Sequence, residues 1–147
     1  MFVLDTNVVS ELRKVRLGRA DDGVARWAES VNAQDLYVSA ITIEELELGV
    51  LLLERRDATQ GAVLRVWLEQ HVLPAFDGRV LSVDTAVARR SARLHVPDPR
   101  PERDGLIAAS ALVHGMTVVT RNAVDFEPMG VPLLNPWSSS SGAKARR

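Results

Sequence analysis

The chain contains no cysteine, which removes disulfides and thiolate metal sites together. Histidine is scarce too: His71, His95 and His114 are the three, and no two stand at paired ligand spacing. Any metal must therefore be held mainly by oxygen, and carboxylates suit hard cations such as Mg²⁺ or Mn²⁺. There is no surplus of one charge. A net charge of −1 excludes a strongly basic, sequence-blind nucleic-acid binder. It leaves room for an enzyme whose metal ions meet the phosphates. Long hydrophobic runs are missing, since nothing approaches the roughly 18 apolar residues of a membrane span. Met1-Phe2-Val3-Leu4-Asp5 carries no basic stretch, so neither a signal peptide nor a membrane contact is expected, and the expected location is cytoplasmic.

What is present describes one globular domain: 147 residues, 46% hydrophobic and 25% charged. Short apolar runs at Phe2–Leu4, Leu36–Ser39, Val80–Val83, Thr117–Thr120 and Leu133–Leu134 alternate with helical patterns. The latter cover Val8–Lys14, Gly23–Val31, Ile43–Arg56, Gly61–Leu73, Thr85–His95 and Glu102–His114. This alternation predicts an α/β fold with a mainly parallel sheet covered on both faces. Val96-Pro97-Asp98-Pro99-Arg100-Pro101 is a stiff connector. The domain is expected over residues 1–137. A Ser-rich, then basic, disordered tail is expected over 138–147.

Four acids stand where a parallel sheet gathers its chemistry. Asp5 follows the first strand, at the carboxyl end where such sheets bind ligands; the competing role is a helix N-cap. Glu45 falls near the middle of an apolar arc at 100° per residue, flanked by Leu46, Gly49, Leu52 and Leu53. A buried carboxylate there needs a cation or several donors. The competing role is a capping box with Thr42. Asp104 opens a helix whose body, Leu106–Val113, is almost wholly apolar; it shares a face with Ala108 and Ala111. A first-turn acid favoured by the helix dipole is the alternative, and Glu102 would serve that equally well. Asp125 lies beyond the fourth strand, with an Asx-turn at Asn122 or Asp125 as its alternative. Gathered in one pocket, four carboxylates repel unless metal neutralises them. Two ions about 4 Å apart would clamp both oxygens of an in-line phosphoryl displacement.

Leu4-Asp5-Thr6-Asn7 with Ser10-Glu11, Ser39 through Gly49, Asp104-Gly105-Leu106-Ile107-Ala108-Ala109, and Thr120-Arg121-Asn122 through Asp125-Phe126, closing with Asn135-Pro136-Trp137, resemble the VapC-type PIN-domain toxins, and within them the FitB-like group. The resemblance implies a three-layer α/β/α domain with a five-stranded parallel sheet and Mg²⁺- or Mn²⁺-dependent cleavage of RNA. Asp5, Glu45, Asp104 and Asp125 would be its acidic quartet. Asp5 and Asp104 would be the principal metal ligands, with Glu45 completing the site. Asp125 or Asn122 would hold a second ion or orient the attacking water. Thr6, Asn7 and Thr120 would support these acids. Arg13, Lys14 and Arg121 would contact RNA. A homodimer and a VapB-like antitoxin, forming a toxin–antitoxin hetero-oligomer, are also implied.

Two rival enzyme and signalling classes lack a required residue. A haloacid-dehalogenase phosphatase wants Asp two positions after Asp5, where Asn7 stands. A phospho-receiver needs a lysine late in the chain, and none lies between Lys14 and Lys144. A catalytically inactive PIN-like module that binds nucleic acid or protein is the remaining alternative.

Overall fold

In the computed structural model, residues 1–138 are described; the tail expectation, apart from Ser138, lies outside the described residues. The chain runs β1 (Phe2–Leu4), α1 (Thr6–Arg16), α2 (Asp22–Ser30), β2 (Leu36–Ser39), α3 (Ala40–Arg56) and α4 (Ala58–Trp67). A π turn over Leu68–Val72 leads into the short α5 (Leu73–Ala75) and β3 (Val80–Leu81). Then come α6 (Thr85–Leu94), α7 (Glu102–His114), β4 (Thr117–Val119), the single turn α8 (Ala123–Phe126) and β5 (Leu133–Leu134). None of the described helices is long and apolar enough to cross a membrane.

All five strands are parallel, in the order β3-β2-β1-β4-β5. The two faces follow from the period of two along each strand. Leu4, Val38 and Val119 point into one core with α1, α3, α4 and the π turn. Val3, Val118 and Tyr37 point into the other, where α7 supplies Ile107, Ala108 and Ala111. The result is the expected α/β/α sandwich. Beta-strand order reverses at β1, which pairs with β2 on one side and β4 on the other. The crevice at the carboxyl ends of β1 and β4 is thus the natural ligand position.

The N-termini of α1 and α3 lie ahead of the expected ones for a local reason. Asp5 caps α1, its Oδ1 accepting from the Thr6 backbone N–H at 2.8 Å, so the helix starts at Thr6 rather than Val8. Ser39 caps α3 in the same way, its Oγ accepting from Ile41 N–H at 3.0 Å. The expected helix Gly61–Leu73 is instead α4 followed by the π turn. α7 ends at Gly115, whose φ of 67° is the left-handed conformation that glycine adopts without strain.

α3 also corrects the helical wheel. Its buried residues are Thr42, Leu46 and Val50. Leu52, placed in the buried arc by composition, is 55% exposed, and Leu48 and Leu51 face solvent beside it. α3 is apolar on its outer face as well, so the arc drawn from composition was centred too far round.

Candidate active site

The end of β1 delivers Asp5 into the crevice, where it is 6% exposed. Its Oδ2 accepts from Thr120 Oγ1 at 2.7 Å, and Asn7 Nδ2 lies 3.4 Å away. Thr120 follows β4 and is fully buried; its Oγ1 in turn accepts from the Asn122 backbone N–H at 3.0 Å. The N-cap reading of Asp5 thus holds through one oxygen, while the other stands beyond the carboxyl end of β1 and accepts from Thr120. Burial pushes the Asp5 carboxyl up, hydrogen bonds from Thr120 and Thr6 oppose this, and the nearby Glu45 charge adds to it.

Glu45 is not a capping-box partner. Thr42 lies inside α3, and Ser39 holds the cap. Glu45 Oε1 instead accepts from Thr6 Oγ1 across the crevice at 2.5 Å. Thr6 Oγ1 also lies 3.3 Å from Thr42 Oγ1. Glu45 Oε2 stands 3.5 Å from the Arg103 guanidinium.

Asp104 sits in the first turn of α7, half-buried against the same crevice. Burial first, then the charges of Asp5, Asp125 and Glu45, push its carboxyl up to about 6. All three other acids are thus close enough to act on Asp104. Glu102 in the same turn is exposed. Asp125 lies on α8, exposed, with no side-chain hydrogen bond among the described residues. Asn122 contributes its backbone N–H, and its side chain caps nothing. The Asx-turn alternative thus describes neither residue. Among the described residues, no three acidic or imidazole groups stand within ligand distance of one point. The acids are neighbours but are not drawn together into a cage.

The expected basic residues surround this crevice. Arg13 and Lys14 line a cleft of about 270 Å³ together with Thr6, Ser10, Glu45 and Trp67. Arg13 lies over the Trp67 ring at 5.9 Å, and Lys14 pairs with Glu11 at 3.3 Å. Arg121 lies over the Trp137 ring at 5.4 Å, and its backbone N–H donates to Asn7 Oδ1 at 3.3 Å. The segment carrying Trp137 is fastened to α2. The Ser138 hydroxyl and backbone N–H donate to Asp21, and a Cβ at Gly23 would fall 2.4 Å from Pro136 O. Sequence reasoning missed Arg103, and it offered Thr42 only as a capping partner of Glu45, not as a neighbour of the Thr6 hydroxyl. Arg103 adjoins Asp104, but its pairing reaches across to another helix, which no helical spacing rule reports.

A PIN-domain family model matches residues 2–129. Among curated proteins, the chain is 40% identical to the VapC ribonuclease Y4jK of Sinorhizobium fredii, over 93% of this chain and 98% of that protein. It is likewise 40% identical to the toxin FitB of Neisseria gonorrhoeae, over 93% of this chain and 99% of that protein. Among solved structures, FitAcB from Neisseria gonorrhoeae matches with a TM-score of 0.83 at 39% identity, covering 93% of this chain and 99% of that one.

Proposed function

The chain belongs to the PIN-domain family, and from that premise we propose that it is a divalent-cation-dependent endoribonuclease, the toxin of a type II toxin–antitoxin pair. The observation that carries this reading is the gathering of acids beyond the ends of β1 and β4: Asp5 is buried there, Glu45 is held by Thr6 across the same crevice, and Asp104 is half-buried close enough for their charges, after burial itself, to raise its carboxyl. A cluster of that kind opposes its own ionisation, and a bound cation reverses the balance.

The donor set fits such an ion. It is made of oxygens alone, which suits Mg²⁺ or Mn²⁺. Asp5 and Asp104 would hold it, with Glu45 completing the site and Asp125 serving a second, weaker ion. With no closed cage among the described residues, binding would need side-chain rotation, which the exposed Asp125 is free to make and which Glu45 would make by loosening its contacts to Thr6 and Arg103. When bound, the cation supplies Lewis acidity toward the phosphate and lowers the pKa of the attacking water.

The protein's own groups do the positioning. Thr120, Thr6 and Asn7 fix the Asp5 carboxylate from three sides, so little reorganisation is left for the reaction. Thr6 also orients Glu45. Asp125, which has no side-chain hydrogen bond among the described residues, or Asn122 beside it, would hold that second ion or orient the attacking water.

Two surfaces support the proposed partners. A groove of about 200 Å³ between α1 and the π turn is apolar, with Leu12, Trp67, Val72 and Phe76 in its wall and Arg13, Arg16 and Arg79 around it. It suits an apolar segment of a VapB-like antitoxin that also carries acidic residues. The exposed Leu48, Leu51 and Leu52 of α3, with Val63 and Val66 of α4, suit a second copy of the chain.

Cleavage of an RNA pool by purified protein tests the reading. Mn²⁺ should permit cleavage, EDTA should abolish it, and Asp104→Asn should remove it without unfolding the chain. Cleavage that persists undiminished in EDTA and in Asp104→Asn would defeat the proposal.

A further inference from the structure

Resting on that reading of the site, we propose that Arg103 is a substrate-binding residue whose guanidinium holds a phosphate of the RNA at the mouth of the acidic crevice, with Glu45 as its resting partner. The geometry of the pair is the starting point. Arg103 Nη1 lies 3.5 Å from Glu45 Oε2, a single contact, and the Arg103 side chain is 47% exposed. That is longer than the roughly 2.7–2.9 Å of a charge-assisted hydrogen bond.

Arg65 shows what a structural arginine looks like in the same molecule. It reaches Glu47 at 2.6 Å, Glu54 at 3.1 Å and Glu69 at 3.2 Å, which ties α4 to α3. Arg103 makes no other ion pair among the described residues, so most of its five donors are unspent. The other basic side chains around the crevice are differently placed. Arg13 and Arg121 lie over Trp67 and Trp137, and Lys14 pairs with Glu11. Arg103 alone of these is paired with one of the four acids.

Electrostatics then gives the pair a direction. A crevice of four acids repels a phosphodiester. Glu45, once its charge was shared with a divalent cation held by the acids, would loosen its hold on Arg103. The freed guanidinium faces the anion that the cation draws in, and its planar fork matches two phosphate oxygens. Loading of the acids and capture of the substrate become linked through one exchangeable ion pair.

Binding of a 5′-fluorescein single-stranded RNA dodecamer, followed by anisotropy in EDTA and in Ca²⁺ with the RNA checked intact on a gel, tests this. In Ca²⁺, Arg103→Gln should weaken binding about tenfold, the scale of one lost charge-assisted contact. It should also lower the slope of log affinity against log salt by about 0.7, the share of one phosphate on a single strand. In EDTA the loss should be much smaller. Arg103→Lys should keep the salt slope while losing part of the affinity. Wild-type affinity and slope for Arg103→Gln in Ca²⁺ would overturn the proposal, as would equal losses in Ca²⁺ and EDTA. A wild-type chain that binds RNA but never cleaves it with Mn²⁺ would instead defeat the nuclease reading and leave the Arg103 result standing by itself.

Discussion

Replacing Asp104 with Asn should stabilise the metal-free protein, and the amount follows from the crevice. The Asp104 carboxyl lies at about 6 against an ordinary 3.8, pushed there by burial and by Asp5, Asp125 and Glu45. The folded state therefore holds the proton more tightly than the unfolded chain. Well below the ordinary 3.8 both states are protonated and the shift is without effect. As pH rises to about 6 the unfolded chain ionises first, so wild-type stability falls, and it stays low above pH 6. Each pKa unit is worth about 1.4 kcal/mol, giving a ceiling near 3 kcal/mol. Asp104 is only half-buried, and solvent screening reduces this to about 1–1.5 kcal/mol. In a chain of this size that is a rise in Tm of about 3–5 °C. Thermal melts of wild type and Asp104→Asn in EDTA, at pH 4 and pH 7.5, measure it. The difference should be small at pH 4 and larger at pH 7.5, with the variant higher. Excess Mn²⁺ should reverse the order by stabilising wild type preferentially. A variant that melts at or below wild type at pH 7.5 in EDTA would refute the claim that the four acids repel one another.

The other predictions bear on neighbouring residues. Glu102→Gln, in the same turn but exposed, should leave cleavage and the metal-free melt near wild type. Glu45→Gln should lower Mn²⁺ affinity, read as a smaller Mn²⁺-induced rise in Tm, while the metal-free melt holds or rises; an unchanged Mn²⁺ shift would remove Glu45 from the ion site. Thr120→Val leaves a buried oxygen of Asp5 without its 2.7 Å donor and should destabilise by about 1–3 kcal/mol in urea denaturation. Gly23→Ala sets a methyl 2.4 Å from Pro136 O and should cost about 1–3 kcal/mol; a neutral result would show that the 136–138 segment yields freely.

Much of the architecture was legible because the sheet is parallel and doubly covered. Val3, Val38, Val118 and Val119 sit in short apolar runs that only such a sheet explains, and all five strands lie where those runs predicted. Asp5 and Asp104 were legible from their places after β1 and at the head of α7. Glu45 was found for a partly mistaken reason: the arc that pointed it inward included Leu52, which faces solvent. Periodicity reports which residues are apolar, and a helix whose outer face is also apolar misleads it. The capping box failed because Ser39, one turn earlier, offers the same chemistry with better geometry. The helical turn carrying Asp125 was not legible, because α8 spans only Ala123–Phe126 and is too short to show a period. Arg103 was invisible because its partner belongs to a helix far away in sequence.

The hydrogen bond from Thr120 to Asp5 joins residues 115 positions apart. Its span makes the order of synthesis matter. Asp5 and Glu45 leave the ribosome early, while Asp104, Thr120 and Asp125 come in the last third of the chain. Until β4 has emerged and docked beside β1, Asp5 lacks its buried donor and the crevice lacks half its acids. Contacts of such long sequence separation form late. A chain still short of Asp125 therefore carries an incomplete crevice, and the chemistry proposed for that crevice waits until β4 and α8 have been built.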